Sequence, residues 1–460
     1  MSLPSRLWPL VAALWLAACA TPRPPVVESP ARLPGQWQTA QPAGATALAP
    51  AWWQGLGDPA LPTLVDQAWT HSLTLAQARA RLALAQAQRQ SAQAALGPRL
   101  QGQVAAQRGQ MAPPLTPGSS ATWTVQAGWE LDLFGSARAS RDAAGARAEA
   151  AALTLDQARQ TLAVEVAQAL LAWRHADAQL ALAQADEALA ERLARADADQ
   201  ARAGLLSPAQ AALSQTLAAS ARTATAAWVE QRGAWLQTLA LLVADDAATL
   251  AAGLTAQALP APRALQVDVL PAALLERRAD LAAALRQWQA AALEAQGTAI
   301  AEVAPQLSFS ALVGGGRWEL GGSTRGTVWN LAPTLSIPLF DGGGRAAATA
   351  AARAQEAEAR AGLEAQWRSA VAEVEQALLR WHAAEARRRE AEATRGHWQR
   401  IADASRAQQR AGLLSGHTLA RDERNALTAR SDALDAAREH TAAYLQLVRA
   451  LGGGWQSNKS

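Results

Sequence analysis

The hexapeptide Arg202-Ala-Gly-Leu-Leu-Ser207 recurs unchanged as Arg410-Ala-Gly-Leu-Leu-Ser415, which lies 208 residues further along a chain of 460 residues. The same offset relates Val166-Ala-Gln-Ala-Leu-Leu-Ala-Trp173 to Val374-Glu-Gln-Ala-Leu-Leu-Arg-Trp381. Several matches in one order, at a nearly constant offset, indicate that the chain contains an internal duplication.

Working outward from these matches, we predict two structural repeats of similar length, over residues 51–255 and 272–452. The segment 256–271 holds three prolines and is interpreted as the linker between them. Residues 453–460 are expected to form a short tail.

Each repeat is predicted to contain a helix, a pair of strands and a long helical hairpin, in that order. A proline, Pro98 or Pro305, ends the first helix of each repeat. The predicted strand pairs and hairpins are about 99–133 and 136–250 in the first repeat, and about 306–339 and 345–451 in the second.

The predicted strands alternate apolar and polar residues over about ten positions, which is typical of a membrane strand with one lipid face and one wet face. A half-buried strand of a soluble sheet alternates in the same way, so the pattern alone leaves both readings open. The residues expected to face lipid are Trp123, Val125, Trp129, Leu131, Phe309, Trp329, Leu331 and Leu335.

Four strands cannot close a barrel, and an open sheet edge in lipid leaves backbone groups without hydrogen bonds at several kcal/mol each. If these strands span a membrane, several chains must therefore pool them. This argument predicts an oligomer but does not fix the number of copies.

The helical stretches are long and rich in small side chains. Residues 136–203 number 68 and would span roughly 100 Å as one helix, far more than a bilayer. The chain contains 121 alanines, which let neighbouring helices pack closely. We expect a mainly α fold with a small β part.

Composition argues against a metal site, a cofactor and catalysis. One cysteine among 460 residues excludes cysteine-based metal clusters, and the six histidines show no metal-ligand spacing. The glycine clusters 314–316 and 342–344 lack the P-loop spacing, and we place the first in a connection between strands. A net charge of +3 without an arginine-rich block gives no sign of nucleic-acid binding.

The single cysteine, Cys19, ends the sequence Leu16-Ala-Ala-Cys19 after a short apolar run. The run is too short to span a bilayer, so residues 1–18 are predicted to be a lipoprotein signal peptide with Cys19 as the lipid attachment point. An ordinary signal peptide with a chance cysteine is the alternative. Residues 19–50 are rich in proline, alanine and glutamine and are interpreted as a tether.

Four further segments carry a family resemblance: Trp53–Leu61 (WQGLGDPAL), Leu274–Leu281 (LLERRADL), Pro338–Gly343 (PLFDGG) and Leu451–Trp455 (LGGGW). With them, residues 50–455 resemble the TolC-like outer-membrane efflux proteins, in particular the lipidated branch that serves resistance-nodulation-division pumps. Ala279 stands where the family motif has a proline.

The resemblance implies a homotrimer in the outer membrane, with a twelve-stranded β-barrel continued by a periplasmic barrel of helical hairpins. It implies a passive exit duct for small molecules, with a periplasmic adaptor protein, an inner-membrane pump and outer-membrane lipid as partners. The hairpin turns would contact the adaptor and close the duct; their residues are Gly204, Leu205, Leu206, Ser207, Gly412, Leu413, Leu414 and Ser415.

One departure affects the expected gate. Many family members carry an aspartate six residues after the turn glycine, where this chain has Gln210 and Thr418. Gate charges are therefore expected elsewhere near the turns, and the candidates are Asp197, Asp199, Arg202, Arg410, Arg421 and Asp422. The alternative is that these charges form ordinary solvated helix ends.

Three other functions fit parts of the sequence. A duct for type I protein secretion shares the architecture, but such relatives usually lack a lipid anchor. A periplasmic adaptor lipoprotein would carry one hairpin instead of two. A structural coiled-coil lipoprotein would not need the tryptophan-rich strands.

The pooled-strand argument predicts a heat-sensitive oligomer. Unheated protein is expected to migrate on a detergent gel as a trimer and heated protein as a monomer. A mature chain that is strictly monomeric and soluble would contradict this reading.

Overall fold

The computed structural model describes residues 35–39, 48–109, 118–255, 257–262, 277–319 and 323–455. The predicted signal peptide, Cys19 and most of the predicted linker lie outside the described residues. The expectations for these segments stay predictions.

The element order helix, strand pair and helical hairpin occurs twice, so the fold class expected from the sequence is confirmed. A 3-10 helix over Trp52–Leu56 precedes the first helix. The elements are α1 (Ala60–His71), α2 (Leu73–Ala94), β1 (Arg99–Gly109), β2 (Gly118–Leu131), α3 (Ser136–Arg202), α4 (Pro208–Val243), α5 (Ala247–Gly253), α6 (Ala279–Val303), β3 (Gln306–Glu319), β4 (Ser323–Ser336), α7 (Gly344–Arg410) and α8 (Gly416–Ala450).

The two long helices α3 and α7 have 67 residues each. Among the described residues, no single helix combines the length and apolar character needed to cross a membrane. The pair α4 and α5, bent by 100° at its junction, meets that test by length and composition alone.

The chain divides into two compact units. One is built from Ala80–Leu153 and Ala282–Ala365 and contains the sheet. The other is built from the described parts of Ser29–Arg79, Thr154–Leu281 and Gln366–Ser460 and contains both hairpin turns.

The sheet is a four-stranded antiparallel meander in the order β1-β2-β3-β4. Directly paired residues share a face, and Val125, Val313 and Trp329 form one such row. The register places all eight residues predicted to face lipid on this face. Strand β4 ends at Ser336, three residues earlier than predicted.

The cluster Gly314–Gly316 lies inside β3, so its placement in a connection between strands was wrong. Gly315 pairs directly with Trp123, and a Cβ at this position would lie 3.2 Å from Trp123 Nε1. At Gly314 and Gly316 a Cβ would collide with backbone carbonyls of β2. The glycines are explained by the close approach of the β2 backbone and by the space that the Trp123 indole ring needs, and they do not form a phosphate-binding loop.

In the second unit, a buried ion pair joins the segment just before α1 to α3. Arg174 Nε donates to Asp58 Oδ2 at 3.0 Å, and both side chains are about 1% exposed. Asp58 Oδ1 also accepts from the backbone N–H of Ala60 at 2.9 Å, which satisfies a free donor at the start of α1. The aspartate of the WQGLGDPAL segment is thus a structural residue.

The second repeat has a comparable pair. Arg278 contacts Asp280 at 2.7 Å and Glu373 at 2.8 Å, and donates to the carbonyl of Ala450 at 3.0 Å. Burial acts to lower the pKa of Arg278, but the hydrogen bonds and charges of Asp280 and Glu373 outweigh it and raise the pKa. The arginine stays charged and holds the end of α8 to the start of α6.

Asp58→Ala leaves Arg174 buried without its counterion, so we expect the free energy of unfolding to fall by about 3–5 kcal/mol. Thermal unfolding followed by circular dichroism measures the change. Asp66→Ala, which removes an exposed carboxylate from α1, is the control and is expected to be nearly neutral. Equal midpoints for the two variants would contradict the structural role of the buried pair.

Candidate functional site at the hairpin turns

The two hairpin turns have the same backbone conformation. Gly204 and Gly412 both adopt φ of 73°, a left-handed value that side chains disfavour. The next residue, Leu205 or Leu413, donates its N–H to the carbonyl of Gln200 or Gln408 at 2.8 and 2.9 Å. These bonds end α3 and α7 in the same way, so the duplication extends to the turn geometry.

A serine caps the start of each returning helix. Ser207 Oγ accepts from the backbone N–H of Gln210 at 3.3 Å, and Ser415 Oγ from that of Thr418 at 3.2 Å. Such N-caps satisfy donors that the helix cannot pair itself. Gln210 and Thr418, which replace the family aspartate, therefore lie in the first turn of their helices.

Each turn exposes one leucine fully. Leu205 and Leu413 are both 78% exposed, whereas Leu206 and Leu414 are half-buried. The apolar feature that each turn presents to solvent is a single leucine.

A buried aspartate–serine hydrogen bond crosses each hairpin near its turn. In the first hairpin Ser214 Oγ, on α4, donates to Asp197 Oδ2, on α3. In the second, Ser405 Oγ, on α7, donates to Asp422 Oδ2, on α8, at 2.6 Å. With the 208-residue offset, Asp197 corresponds to Ser405 and Ser214 to Asp422, so the two partners have changed places between the copies.

Asp197 also contacts the other hairpin. His417 Nε2, on α8, lies 2.9 Å from Asp197 Oδ1. Both atoms are buried, and neither forms a hydrogen bond within the described ranges, so the contact is a close approach of the two groups. A protonated imidazole would form an ion pair here, so this contact can join α3 of the first hairpin to α8 of the second.

Three further polar contacts join the same two helices. Asp186 binds Arg424 at 2.7 and 3.0 Å, Gln179 accepts from Ser431 Oγ at 2.9 Å, and His175 Nε2 lies 2.6 Å from Asp435 Oδ1. From one of these three pairs to the next, the residue number on α3 falls by 7 and then by 4, while the number on α8 rises by 7 and then by 4. Equal and opposite steps are the pattern of two antiparallel helices in contact. The two hairpins of one chain are thus held side by side by polar contacts.

Burial sets the protonation of His175, on α3. Desolvation lowers the pKa of His175 below its ordinary value of 6.5, although Asp435 acts to raise it. The neutral imidazole is therefore favoured in the folded chain. Its contribution to stability is present above pH 6.5 and is lost as the pH falls, because the unfolded chain then binds a proton that the folded chain resists.

The model of the outer membrane efflux protein family matches residues 64–244 and 270–453. The chain belongs to this family. It is 30% identical to outer membrane protein OprJ of Pseudomonas aeruginosa, over 98% of this chain and 96% of that protein. It is 29% identical to the pyoverdine export outer membrane protein OpmQ of Pseudomonas putida, over 100% and 99% of the two chains.

Solved structures agree on the fold of this efflux protein. The outer-membrane channel OprN superposes with a TM-score of 0.81 at 24% identity, covering 95% of this chain and 99% of that one. The open state of the Neisseria gonorrhoeae MtrE outer membrane channel gives 0.81 at 22% identity, covering 96% and 100%. The resemblance, the outer-membrane location with a periplasmic extension, and the role as an efflux channel are confirmed.

The predicted gate charges of the efflux protein do not form one cluster. Asp197 and Asp422 are buried in the serine pairs, and Arg421 lies beside Asp422 at 3.2 Å. Asp199 pairs with Arg202 within α3, and Arg410 is exposed with no ion pair inside the described part of the chain. Sequence reasoning missed Ser214, Ser405 and His417, although aligning the repeats would have placed each serine opposite an aspartate.

The exchanged pairs predict that the first hairpin tolerates the arrangement of the second. Ser214→Asp alone places two carboxylates together in a buried site, so we expect the midpoint of thermal unfolding to fall clearly. The double variant Asp197→Ser/Ser214→Asp restores one carboxylate and one hydroxyl, and is expected to recover most of that loss. Double-mutant analysis of the unfolding midpoints measures the coupling.

The matched control for this exchange is Asp199→Ser, which removes an exposed carboxylate two residues away and should have little effect. A double variant no more stable than Ser214→Asp would show that the two positions are not energetically coupled.

Proposed function

We propose that the chain is one subunit of a homotrimeric, passive efflux duct whose hairpin turns dock a periplasmic adaptor of a tripartite pump. The observation that carries the docking proposal is the identical turn in both repeats, with Leu205 and Leu413 exposed to the same extent. The duct as proposed performs no chemical step and uses no cofactor, since the pump supplies the energy.

Three copies would complete the sheet. Strands β1 and β4 are the outer strands of the four-stranded sheet, and each offers one unpaired edge. Joining β4 of one copy to β1 of the next removes every open edge and gives twelve strands for three copies. The exposed apolar side chains on one sheet face, among them Trp329 and Leu331, would then contact lipid.

The turns suit a repeated docking partner. A leucine presented by a rigid, capped turn loses little conformational entropy on binding, which favours its use as an anchor. Two equivalent turns per chain would offer six equivalent anchors per trimer, so one type of adaptor hairpin could bind at both kinds of turn.

Polar contacts near the turns supply a route for opening. Each hairpin is held internally by a buried aspartate–serine bond, while Asp197 and His417 join one hairpin to the other. We propose that opening separates the hairpins by breaking contacts such as Asp197–His417 and leaves each hairpin intact. The internal pairs then act as stiffeners and the contact between hairpins as the gate.

Cys19 is proposed as a lipid anchor that holds the mature N-terminus to the membrane. Two curated relatives are described as a toluene efflux pump outer membrane protein and as a pyoverdine export outer membrane protein. Both names support a small-molecule cargo for this chain.

Replacing Leu205 and Leu413 together by Asp tests the docking proposal. We expect efflux of a fluorescent dye from cells to be lost, because removing an interfacial anchor weakens binding by about 30-fold or more. The trimer seen on an unheated gel should persist, since both side chains point to solvent.

Gln200→Glu/Gln408→Glu is the matched control, since it adds the same charge at two equivalent exposed positions beside the turns and keeps the leucines. Efflux is expected to continue in this variant. Normal efflux in the leucine variant would remove the docking proposal.

A further inference from the structure

The ionisable side chains at the far end of the sheet all lie on the apolar face. This end carries the β1–β2 and β3–β4 connections, and its charged residues are Arg108, Arg317, Glu319 and Arg325. Arg317 pairs directly with Arg325, and both Arg108 and Glu319 pair with Ser119. Through β2, this places all four on the face that carries Trp123 and Trp129.

The arginines lie immediately beyond an apolar band of membrane height. The band on this face runs along β2 from Trp123 to Leu131, which is nine residues. A tilted membrane strand has about 9–11 residues, so the band is long enough to cross the hydrocarbon region. The next row of the face holds Ala121, Arg317 and Arg325. The long side chains of the two arginines can therefore place their guanidinium groups at the level of the lipid headgroups.

Positive charge dominates this end of the sheet. Glu319 is already engaged, because it accepts from Arg317 Nη2 at 2.7 Å and from Ser119 Oγ at 2.9 Å. Arg108 and Arg325 form no ion pair among the residues that the structure describes. The connecting segments 110–117 and 320–322 contain no ionisable residue, so three arginines and one glutamate leave a charge of +2.

The arrangement is suited to an anion with phosphate chemistry. Arg317 and Arg325 face each other across neighbouring strands, and like charges in that position destabilise a sheet. Glu319 neutralises Arg317 and leaves Arg325 without a counter-ion among the described residues, so an anion beside Arg325 would relieve the repulsion. Guanidinium groups bind phosphate oxygens in pairs of parallel hydrogen bonds. A shallow cavity of about 390 Å³ is lined by Arg108, Ser119, Arg317 and Glu319. Arg325 lies outside this lining and reaches the site from β4, where it pairs directly with Arg317.

We propose that Arg108, Arg317 and Arg325 form a binding site for the phosphate group of an anionic lipid in the outer leaflet. The occupant is a lipid rather than a free anion, because the site opens onto the apolar band where acyl chains would lie. The proposal rests on the proposed function, since periplasmic helices at the other end of the strands turn this end outward.

Lipid selection by the intact protein tests the site. The full chain is reconstituted in equimolar phosphatidylcholine and phosphatidic acid, transferred to neutral detergent, and the lipids that remain bound are counted by native mass spectrometry. We expect phosphatidic acid to be enriched in the wild type. Arg108→Gln/Arg325→Gln should reduce that enrichment on the order of tenfold.

Two variants control for charge and position. Arg99→Gln removes an arginine from the same strand as Arg108, at the opposite end and on the opposite face, and should keep the enrichment. Arg108→Lys/Arg325→Lys keeps both charges and should retain part of it, which separates lipid binding from misfolding.

Equal enrichment in the wild type and the double glutamine variant would overturn the proposal. Oleate in place of phosphatidic acid tests for phosphate, and equal retention of oleate would also overturn it. Displacement of the bound lipid by inorganic phosphate at matched concentration would show a free-anion site instead. Trimer migration and dye efflux are measured in parallel, and their persistence in the double variant keeps the proposed duct separate from this result.

Discussion

The backbone hydrogen bonds that the sheet cannot make by itself are the constraint on which the rest of the protein depends. The four strands form a continuous meander, but the outer edges of β1 and β4 have no partner strand within the sheet. In water such an edge is tolerated, whereas in hydrocarbon each unpaired group costs several kcal/mol. A chain with this sheet in an outer membrane is therefore complete only with copies of itself.

Because of the duplication, one chain contains two hairpins with the same turn geometry but with different side-chain contacts between their helices. Both turns use glycine, an exposed leucine and a capping serine in the same positions. The reversal of the chain requires the left-handed glycine, and the start of the returning helix is stabilised by the serine cap. Further along the helices, at the aspartate–serine pairs, the positions of the two residues are less constrained. A buried hydrogen bond from a serine hydroxyl to a carboxylate can form with the carboxylate on either helix of the hairpin. The first hairpin has the aspartate on its outgoing helix, and the second has it on its returning helix. Asp197, on α3, is thereby left within reach of His417.

Much of the fold followed from local patterns. The prolines, the period-two alternation and the repeated glycine–leucine–leucine–serine segments placed the strands and hairpins close to their observed bounds. The prediction failed where the residue type is required by a neighbour in space and not by neighbours in the sequence. Gly314–Gly316 suggested a connection between strands, but the backbone and the indole ring of β2 that lie against these positions explain the glycines.

The sequence by itself determined the mainly α class, the duplication, the apolar strand face and the geometry of the turns, because each depends on residues close together in the chain. The tertiary structure decided the pairing of Ser214 with Asp197, the contact of His417 with the first hairpin, and the meeting of three arginines at one end of the sheet. Asp197 is 17 positions from Ser214 and 220 from His417, and Arg108 is 209 positions from Arg317, so only helix packing and strand register bring them together. A periodic pattern identifies which face of an element is apolar, but it does not identify which element will cover that face.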